Sequence, residues 1–297
     1  MIQNIDLIEK YIPIKAVITN ANNSLTIESA KKASELGLIE PILIGNSDYI
    51  KKKVNELNWE INDNIIVHTN TENESAFKSC QLAKTGKISL IVKGHMHTDV
   101  LMGEYIKSEH SLRVKYKRLS HIWYMSFSNN KRNPLIITDG ALNIKPSLET
   151  KKSIITNVVK FVEKIDQFKP KVAILSATEE ALPQMESSMD AIKLVDWSKN
   201  EYPDLDIYGP LAFDNAISEE AASIKGIGSN VAGKANIIIV PNIETGNSLV
   251  KIMVNFMQAT AGGFIVGGKV PVVITSRSDD LDSRLSSISN AILCIDR

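Results

Sequence analysis

Ile88-Ser89-Leu90-Ile91-Val92-Lys93-Gly94-His95-Met96-His97-Thr98-Asp99 is the stretch that decides the fold. Its first half is apolar almost without interruption, where a half-solvated strand would alternate. That pattern belongs to a strand buried on both faces of a mostly parallel sheet. Its second half is a polar turn with a glycine, placed where a helix would start. A buried strand that runs through a polar turn into a helix is the repeating unit of α/β proteins. The same unit recurs upstream. Apolar runs at 16–19, 41–45 and 65–68 read as strands. Between them, 24–36 reads as a helix, with Leu25, Ala30, Ala33 and Leu36 in loose 3.6-residue spacing and Gly37 as its stop. A second helix spans 73–84 and ends before Gly86.

Downstream the theme repeats. Strands are expected at 121–127, 134–138, 172–176, 236–240, 263–267 and 271–275, with a last one at 292–295. Helices are expected at 150–165, 189–197, 218–225, 246–258 and 281–289. Ile154, Ile155, Val158, Val159 and Val162 form one apolar stripe on the first of these. Ser218 is placed to cap its helix, with Glu219 and Glu220 in the favourable first turn. No internal repeat, low-complexity stretch or flexible linker interrupts the pattern. The expected fold class is α/β, with two domains and a chain that crosses between them more than once. Ligands of such folds bind in the cleft between domains or at the carboxyl ends of the strands.

Composition narrows the function. The 297 residues suit two domains. Lys plus Arg number 34 and Asp plus Glu number 34, so the chain lacks the dominant basic field of a nucleic-acid-binding protein. A local basic pocket for a small phosphorylated ligand stays open. Hydrophobic residues at 43% and charged residues at 23% are those of a globular protein rather than a disordered one. No apolar run reaches the ~18 residues of a membrane span. The start, Met1-Ile2-Gln3-Asn4-Ile5-Asp6, carries no secretory pattern, so a cytoplasmic location is expected. Cys80 and Cys294 define no disulfide framework and suit a reducing compartment.

Polar residues concentrate where strands meet helices. After the decisive strand come Lys93, His95, His97, Thr98 and Asp99, a pattern suited to a ligand at a helix N-terminus. The same residues also read as a hydrogen-bonded turn capped by Thr98 or Asp99. As metal ligands, His95, His97 and Asp99 lack a third histidine or a carboxylate cluster, so no metal is expected. Ile137-Thr138-Asp139-Gly140-Ala141-Leu142-Asn143 ends a strand with a carboxylate that is either a cap or a ligand contact. Gly209-Pro210-Leu211-Ala212-Phe213-Asp214-Asn215-Ala216 delivers a carboxylate and an amide beside an aromatic ring. Pro241-Asn242-Ile243-Glu244-Thr245-Gly246-Asn247 is another such junction, and Thr275-Ser276-Arg277-Ser278-Asp279-Asp280-Leu281-Asp282 places an arginine at a strand end. A planar guanidinium there grips phosphate or carboxylate with paired donors. No Gly-x-Gly-x-x-Gly, Walker A, Gly-x-Ser-x-Gly or His-Glu-x-x-His pattern occurs.

Taken in order through nearly the whole chain, these segments resemble the phosphate acetyltransferase/phosphate butyryltransferase family. The Gly209-to-Ala216 segment is the most specific of them. Arg118-Leu119-Ser120-His121 and Ser176-Ala177-Thr178-Glu179 resemble the butyryl branch. The resemblance implies two three-layer α/β/α domains around a deep cleft, similar to isocitrate and isopropylmalate dehydrogenases, with the last strands returning to the first domain. The expected domains are 1–134 plus 271–297, and 135–270, with the active site between them. The implied reaction is reversible: butyryl-CoA plus phosphate gives butyryl phosphate plus CoA, by direct attack in a ternary complex. Coenzyme A is then a substrate, and no prosthetic group or metal takes part. The implied partners are acyl-CoA and inorganic phosphate, with no nucleic acid or membrane, in a homodimer or larger homo-oligomer.

The resemblance also implies roles. Arg277 would clamp phosphate, and Ser276 would donate a hydrogen bond to phosphate or the developing oxyanion. In reverse, ionising the CoA thiol at pH 7 costs roughly 2 kcal/mol, so a carboxylate near sulfur would serve as base. Ser283 stands where the acetyl branch has an aspartate, which leaves Asp282, or Asp280, as the substitute. Met102 stands where that branch has an arginine, which favours a longer acyl chain. Arg113 is the second cation expected for phosphate. Lys93, Thr98, Asp99, Asp139, Asn143, Asp214, Asn215 and Asn247 would line the binding site for phosphate or CoA. The competing functions are a phosphate acetyltransferase, a decarboxylating dehydrogenase on the same scaffold, and a non-catalytic acyl-CoA sensor.

Overall fold

A computed structural model describes residues 5–9, 12–127, 134–165, 167–275 and 279–295. In chain order the elements are α1 (Ile5–Ile8), β1 (Ile14–Thr19), α2 (Ser24–Glu35), β2 (Ile39–Gly45), α3 (Ser47–Glu56), β3 (Ile66–His68), α4 (Glu72–Lys84), β4 (Leu90–Lys93) and α5 (Thr98–Tyr105). There follow β5 (Ser120–Ser126), β6 (Leu135–Thr138), α6 (Leu148–Ile165), β7 (Lys171–Leu175), α7 (Glu186–Glu201), β8 (Asp206–Leu211), α8 (Phe213–Ile217) and α9 (Glu219–Ile224). The last are β9 (Ile237–Ile239), α10 (Ile243–Met257), β10 (Thr260–Val266), β11 (Val272–Val273) and α11 (Leu281–Leu293). The chain divides into two compact units. One is Met1–Lys117 with Gly262–Arg297, and the other is Arg118–Ala261.

In the first unit the strand order is β3-β2-β1-β4-β11-β10. β3, β2, β1, β4 and β11 pair in parallel, while β10 is antiparallel to β11. All of Leu90–Lys93 is buried, as the apolar run of 90–92 requires. Parallel pairing brings the carboxyl ends of β1, β2, β3 and β4 to one edge. The loops leaving that edge start helices whose first backbone N–H groups need acceptors. Asn23, Asn46 and Thr71 supply them for α2, α3 and α4. For α5 the flanking residue is His97, whose side chain makes no cap bond. Thr98 and Asp99 lie inside the first turn of α5, so neither is the cap expected from sequence.

The strand expected at 292–295 is absent, since Ile292 and Leu293 belong to α11. Leu285, Ile288 and Ile292 follow the helical i, i+3, i+7 spacing and are buried, so this apolar end is still helical. The sequence reading passed over α1, α3, β8 and α8. α3 buries only Ile50 and Val54 among charged neighbours, and β8 carries Gly209 and Pro210 inside the strand.

The second unit has the strand order β5-β6-β9-β7-β8. β5 is antiparallel to β6, and the remaining neighbours are parallel. Its core joins Trp123, Met125, Ile137, Ala173, Ile238 and Val250. α6 buries the expected stripe of Ile154, Ile155, Val158, Val159 and Val162. Ser218 caps α9 as expected, accepting from the Ala221 N–H.

Candidate active site

At the edge of the first unit, Lys93 ends β4 with its side chain almost fully buried. Its ammonium donates to the carbonyl of Met96 at 3.0 Å, and that of Gly94 lies at 3.4 Å. The turn after it is pinned to the turn after β1. Gly94 N–H donates to Thr19 O at 2.8 Å and His95 N–H to Asn20 O at 2.9 Å, while Asn20 returns a side-chain bond to His95 O. A Cβ at Gly94 would stand 2.5 Å from Thr19 O, so only glycine permits this approach. Asn22 and Asn23 extend the same edge: Asn23 lies 3.3 Å from His95 Nδ1, and Asn22 Oδ1 accepts from Asn46 N–H at 2.8 Å. The sequence reading passed over this asparagine loop. Its signal was Thr19-Asn20-Ala21-Asn22-Asn23, a polar run directly after an apolar strand.

The α11 end of this edge carries a second buried cation, Arg284, only 5% exposed. Its Nη1 donates to Thr275 Oγ1 at 3.2 Å and its Nε to the Asp279 carbonyl at 3.3 Å. Thr275 Oγ1 in turn lies 3.5 Å from the Lys93 carbonyl. Burial pulls the Arg284 guanidinium below its ordinary value, and the Asp279 charge opposes that pull. Ser276 and Arg277 lie outside the described residues. Asp280 is the α11 cap, accepting from Ser283 N–H at 2.8 Å. Asp282 is exposed in the first turn, and Ser283 is buried. Arg113 is exposed, and its backbone bridges Gly268.

In the second unit the turn after β6 is built around Asp139, 1% exposed. One carboxylate oxygen accepts from the N–H groups of Ala141 and Leu142, at 3.0 and 2.9 Å. The other accepts from His121 N–H at 3.0 Å and from the Asn143 amide at 2.6 Å. Burial raises the Asp139 pKa, and these donors act against it. Asn143 also donates to Leu119 O at 2.9 Å. Asn247, on the first turns of α10, reaches Gly140 O at 3.3 Å. Gly140 and Gly246 make that possible, because a Cβ on Gly246 would lie 2.7 Å from Gly140 Cα. Asp139, Asn143 and Asn247 are therefore brought together, with Asp139 acting as a turn staple.

Asp214 is exposed in the first turn of α8, and Asn215 is buried. Asn215 points its amide toward Glu179 at 3.4 Å, and its buried Oδ1 has no hydrogen-bond partner. Beside the Asp139 staple, His121 is fully buried against Trp123 with neither ring nitrogen hydrogen-bonded. Burial pushes its pKa down to about 3, so the ring is neutral.

Among the described residues, His95, His97 and Asp99 form no metal-ready cluster. The one that does is Glu104, Glu109 and His110, with ligand atoms within 4.8 Å of one another. Both Glu104 oxygens are already engaged, by His110 at 2.6 Å and Lys107 at 2.7 Å. No helix among the described residues is long and apolar enough to cross a membrane.

The comparisons with known proteins place this mixed α/β chain among the acyltransferase enzymes. The chain matches the family described as phosphate acetyl/butaryl transferase over residues 74–292 and belongs to it. It is 37% identical to a phosphate acetyltransferase from Rhizobium meliloti, covering 95% of this chain and 89% of that protein. It is 35% identical to the phosphate butyryltransferase of Clostridium acetobutylicum, covering 94% and 92%. A branched-chain phosphotransacylase structure from Enterococcus faecalis V583 superposes with a TM-score of 0.78 at 32% identity, covering 95% and 98%.

Proposed function

We propose that the chain is a phosphate butyryltransferase, which converts butyryl-CoA and inorganic phosphate to butyryl phosphate and CoA and back. The two compact units are then its two α/β/α domains. A phosphate oxygen attacks the thioester carbonyl, the C–S bond breaks, and the CoA thiolate leaves and takes a proton. Phosphate is already ionised near pH 7, so the forward step needs a held nucleophile and a stabilised oxyanion more than a base. In this reading Arg277 seats phosphate, Ser276 donates to it or to the oxyanion, and Arg113 adds a second positive charge. Asp282 is the proposed base in the reverse direction, because Asp280 is occupied as a helix cap. Asn143, Asn247, Asp214 and Asn215 contribute to CoA binding, with Thr98 and Asp99 at the start of α5.

The observation that carries the reading is the buried Lys93, which puts positive charge at the carboxyl edge of a parallel sheet in a chain of this family. The butyryl preference is supported by Met102, buried on α5, at a position where the acetyl branch has an arginine. An apolar side chain there suits two more carbons better than a charge does. The 37% identity to the Rhizobium meliloti phosphate acetyltransferase supports the second reading, acetyl transfer. Initial rates of phosphate-dependent thiol release from butyryl-CoA and acetyl-CoA separate the two. The butyryl reading expects kcat/KM for butyryl-CoA to exceed that for acetyl-CoA by about tenfold, and equal values would overturn it. No phosphate-dependent release from either would favour a sensor. The proposal includes a cytoplasmic homo-oligomer, for which light scattering should return at least twice the chain mass.

A further inference from the structure

Between α5 and β5 the chain runs through Arg113-Val114-Lys115-Tyr116-Lys117-Arg118, four cations in six residues of a chain whose formal net charge is zero. All four are exposed, and none makes an ion pair among the described residues. Surface lysines elsewhere sit on carboxylates: Lys51 on Asp63 at 2.8 Å, Lys145 on Glu186 at 2.7 Å and Lys225 on Glu179 at 2.6 Å. Like charges left unpaired so close together repel one another, and a bound anion relieves that repulsion.

The middle of the run is a turn. Lys117 N–H donates to Val114 O at 3.2 Å, which puts Lys115 and Tyr116 at the tip. Tyr116 has φ +63°, at a turn position that favours glycine or asparagine. Its side chain is 89% exposed, so burial does not account for an aromatic residue there. The Lys115 ammonium lies 4.9 Å from the ring centroid. A flat ring carried among ammonium groups suits a ligand that joins a planar base to phosphates. Leu119 follows two residues after Lys117, and its carbonyl accepts from Asn143, a residue given to CoA above, at 2.9 Å.

We infer that Lys115, Tyr116 and Lys117 bind the nucleotide end of coenzyme A: the two lysines take its ribose phosphate and pyrophosphate, and the Tyr116 ring stacks on the adenine. This rests on the acyl-CoA reading above and adds a subsite for the part of the substrate that does not react. Contacts to that part are the same before and during the reaction, so their loss falls on KM rather than kcat. Exposed charges are screened by ions, so the subsite weakens with salt.

The test reads kcat and KM for butyryl-CoA, for butyryl-dephospho-CoA, which lacks the ribose phosphate, and for butyryl-pantetheine, which lacks the whole nucleotide. It compares the unaltered full-length protein with the double variant Lys115→Ala/Lys117→Ala and with Tyr116→Gly. Glycine suits the left-handed turn position, so the second variant removes the ring without straining the backbone. The double variant is expected to raise KM for butyryl-CoA about tenfold and Tyr116→Gly about fivefold, with kcat within about twofold in both. KM for butyryl-pantetheine and for inorganic phosphate should stay within about twofold, because neither carries a nucleotide. Added salt should raise KM for butyryl-CoA in the unaltered protein and change it less in the double variant. An unaltered KM for butyryl-CoA, an equal rise for butyryl-pantetheine, or a rise for inorganic phosphate instead would overturn the subsite alone. Equilibrium binding of CoA and dephospho-CoA separates the two levels. If the unaltered protein releases no thiol from any of the thioesters, the acyl-transfer reading fails. The subsite then stands if CoA still binds more tightly than dephospho-CoA and the double variant abolishes the difference, and falls if it does not.

Discussion

The β4 edge of the first unit and the β6 turn of the second each bury charge, but with opposite sign and opposite consequence. At the β6 turn the charge is Asp139, and every donor it meets comes from its own surroundings: His121, Ala141, Leu142 and Asn143. A carboxylate saturated in this way has little capacity left for a substrate, and its work is to hold a turn. At the β4 edge the buried charges are Lys93 and Arg284, whose described bonds go to backbone carbonyls and one hydroxyl. Carbonyl dipoles help to solvate both cations, and the Asp279 charge acts on Arg284 as well. Polar residues at strand ends thus divide into those that build loops and those that set the field.

The sharpest way to break this contrast is Asp139→Ala, which strands four donors in a buried turn. A stability loss on the order of 4 kcal/mol is expected in urea unfolding, with the rate per folded molecule changed far less. A loss below about 1 kcal/mol would show that the turn does not depend on its staple. Lys93→Met tests the other side. The rate at limiting phosphate should fall on the order of 10²-fold, about 2.7 kcal/mol of transition-state stabilisation. Its stability loss should be smaller than that of Asp139→Ala.

A smaller effect concerns acid. Folded His121 titrates at about 3, below its ordinary 6.5, so the unfolded chain takes up the proton first. Its contribution to stability is complete above pH 6.5 and is lost as pH falls from 6.5 toward 3, at about 1.4 kcal/mol per pH unit. His121→Leu should flatten that slope, and an unchanged slope would assign acid sensitivity elsewhere. The smallest effect is at Cys80, whose buried thiol is pushed up to about 12. It should resist thiol reagents in the native protein, while the partly exposed Cys294 reacts faster.

The alternation of strands and helices was legible because buried parallel strands are written as unbroken apolar runs, as are β9 and residues 16–18 of β1, 41–44 of β2 and 90–92 of β4. The misses have physical causes. α3 offers two buried residues in ten, too sparse a stripe to stand out. The apolar pair Ile292-Leu293 at the end of α11 reads as a strand until its register with Leu285 and Ile288 is considered. Lys93 was legible as a polar residue following a strand. Arg284 was not, because a buried arginine and a surface arginine look alike in sequence. Its clue was position, a cation in a helix first turn amid serines. Asp139 was chosen from its place at a strand end, but only the hydrogen bonds distinguish a ligand from a staple.

The most direct measurement is the initial rate of CoA thiol release from butyryl-CoA, with and without inorganic phosphate, in the unaltered protein and in Arg277→Ala. The account predicts release that requires phosphate, forms butyryl phosphate one for one, and falls on the order of 10³-fold in the variant. Release independent of phosphate, or a variant as fast as the unaltered protein, would contradict it.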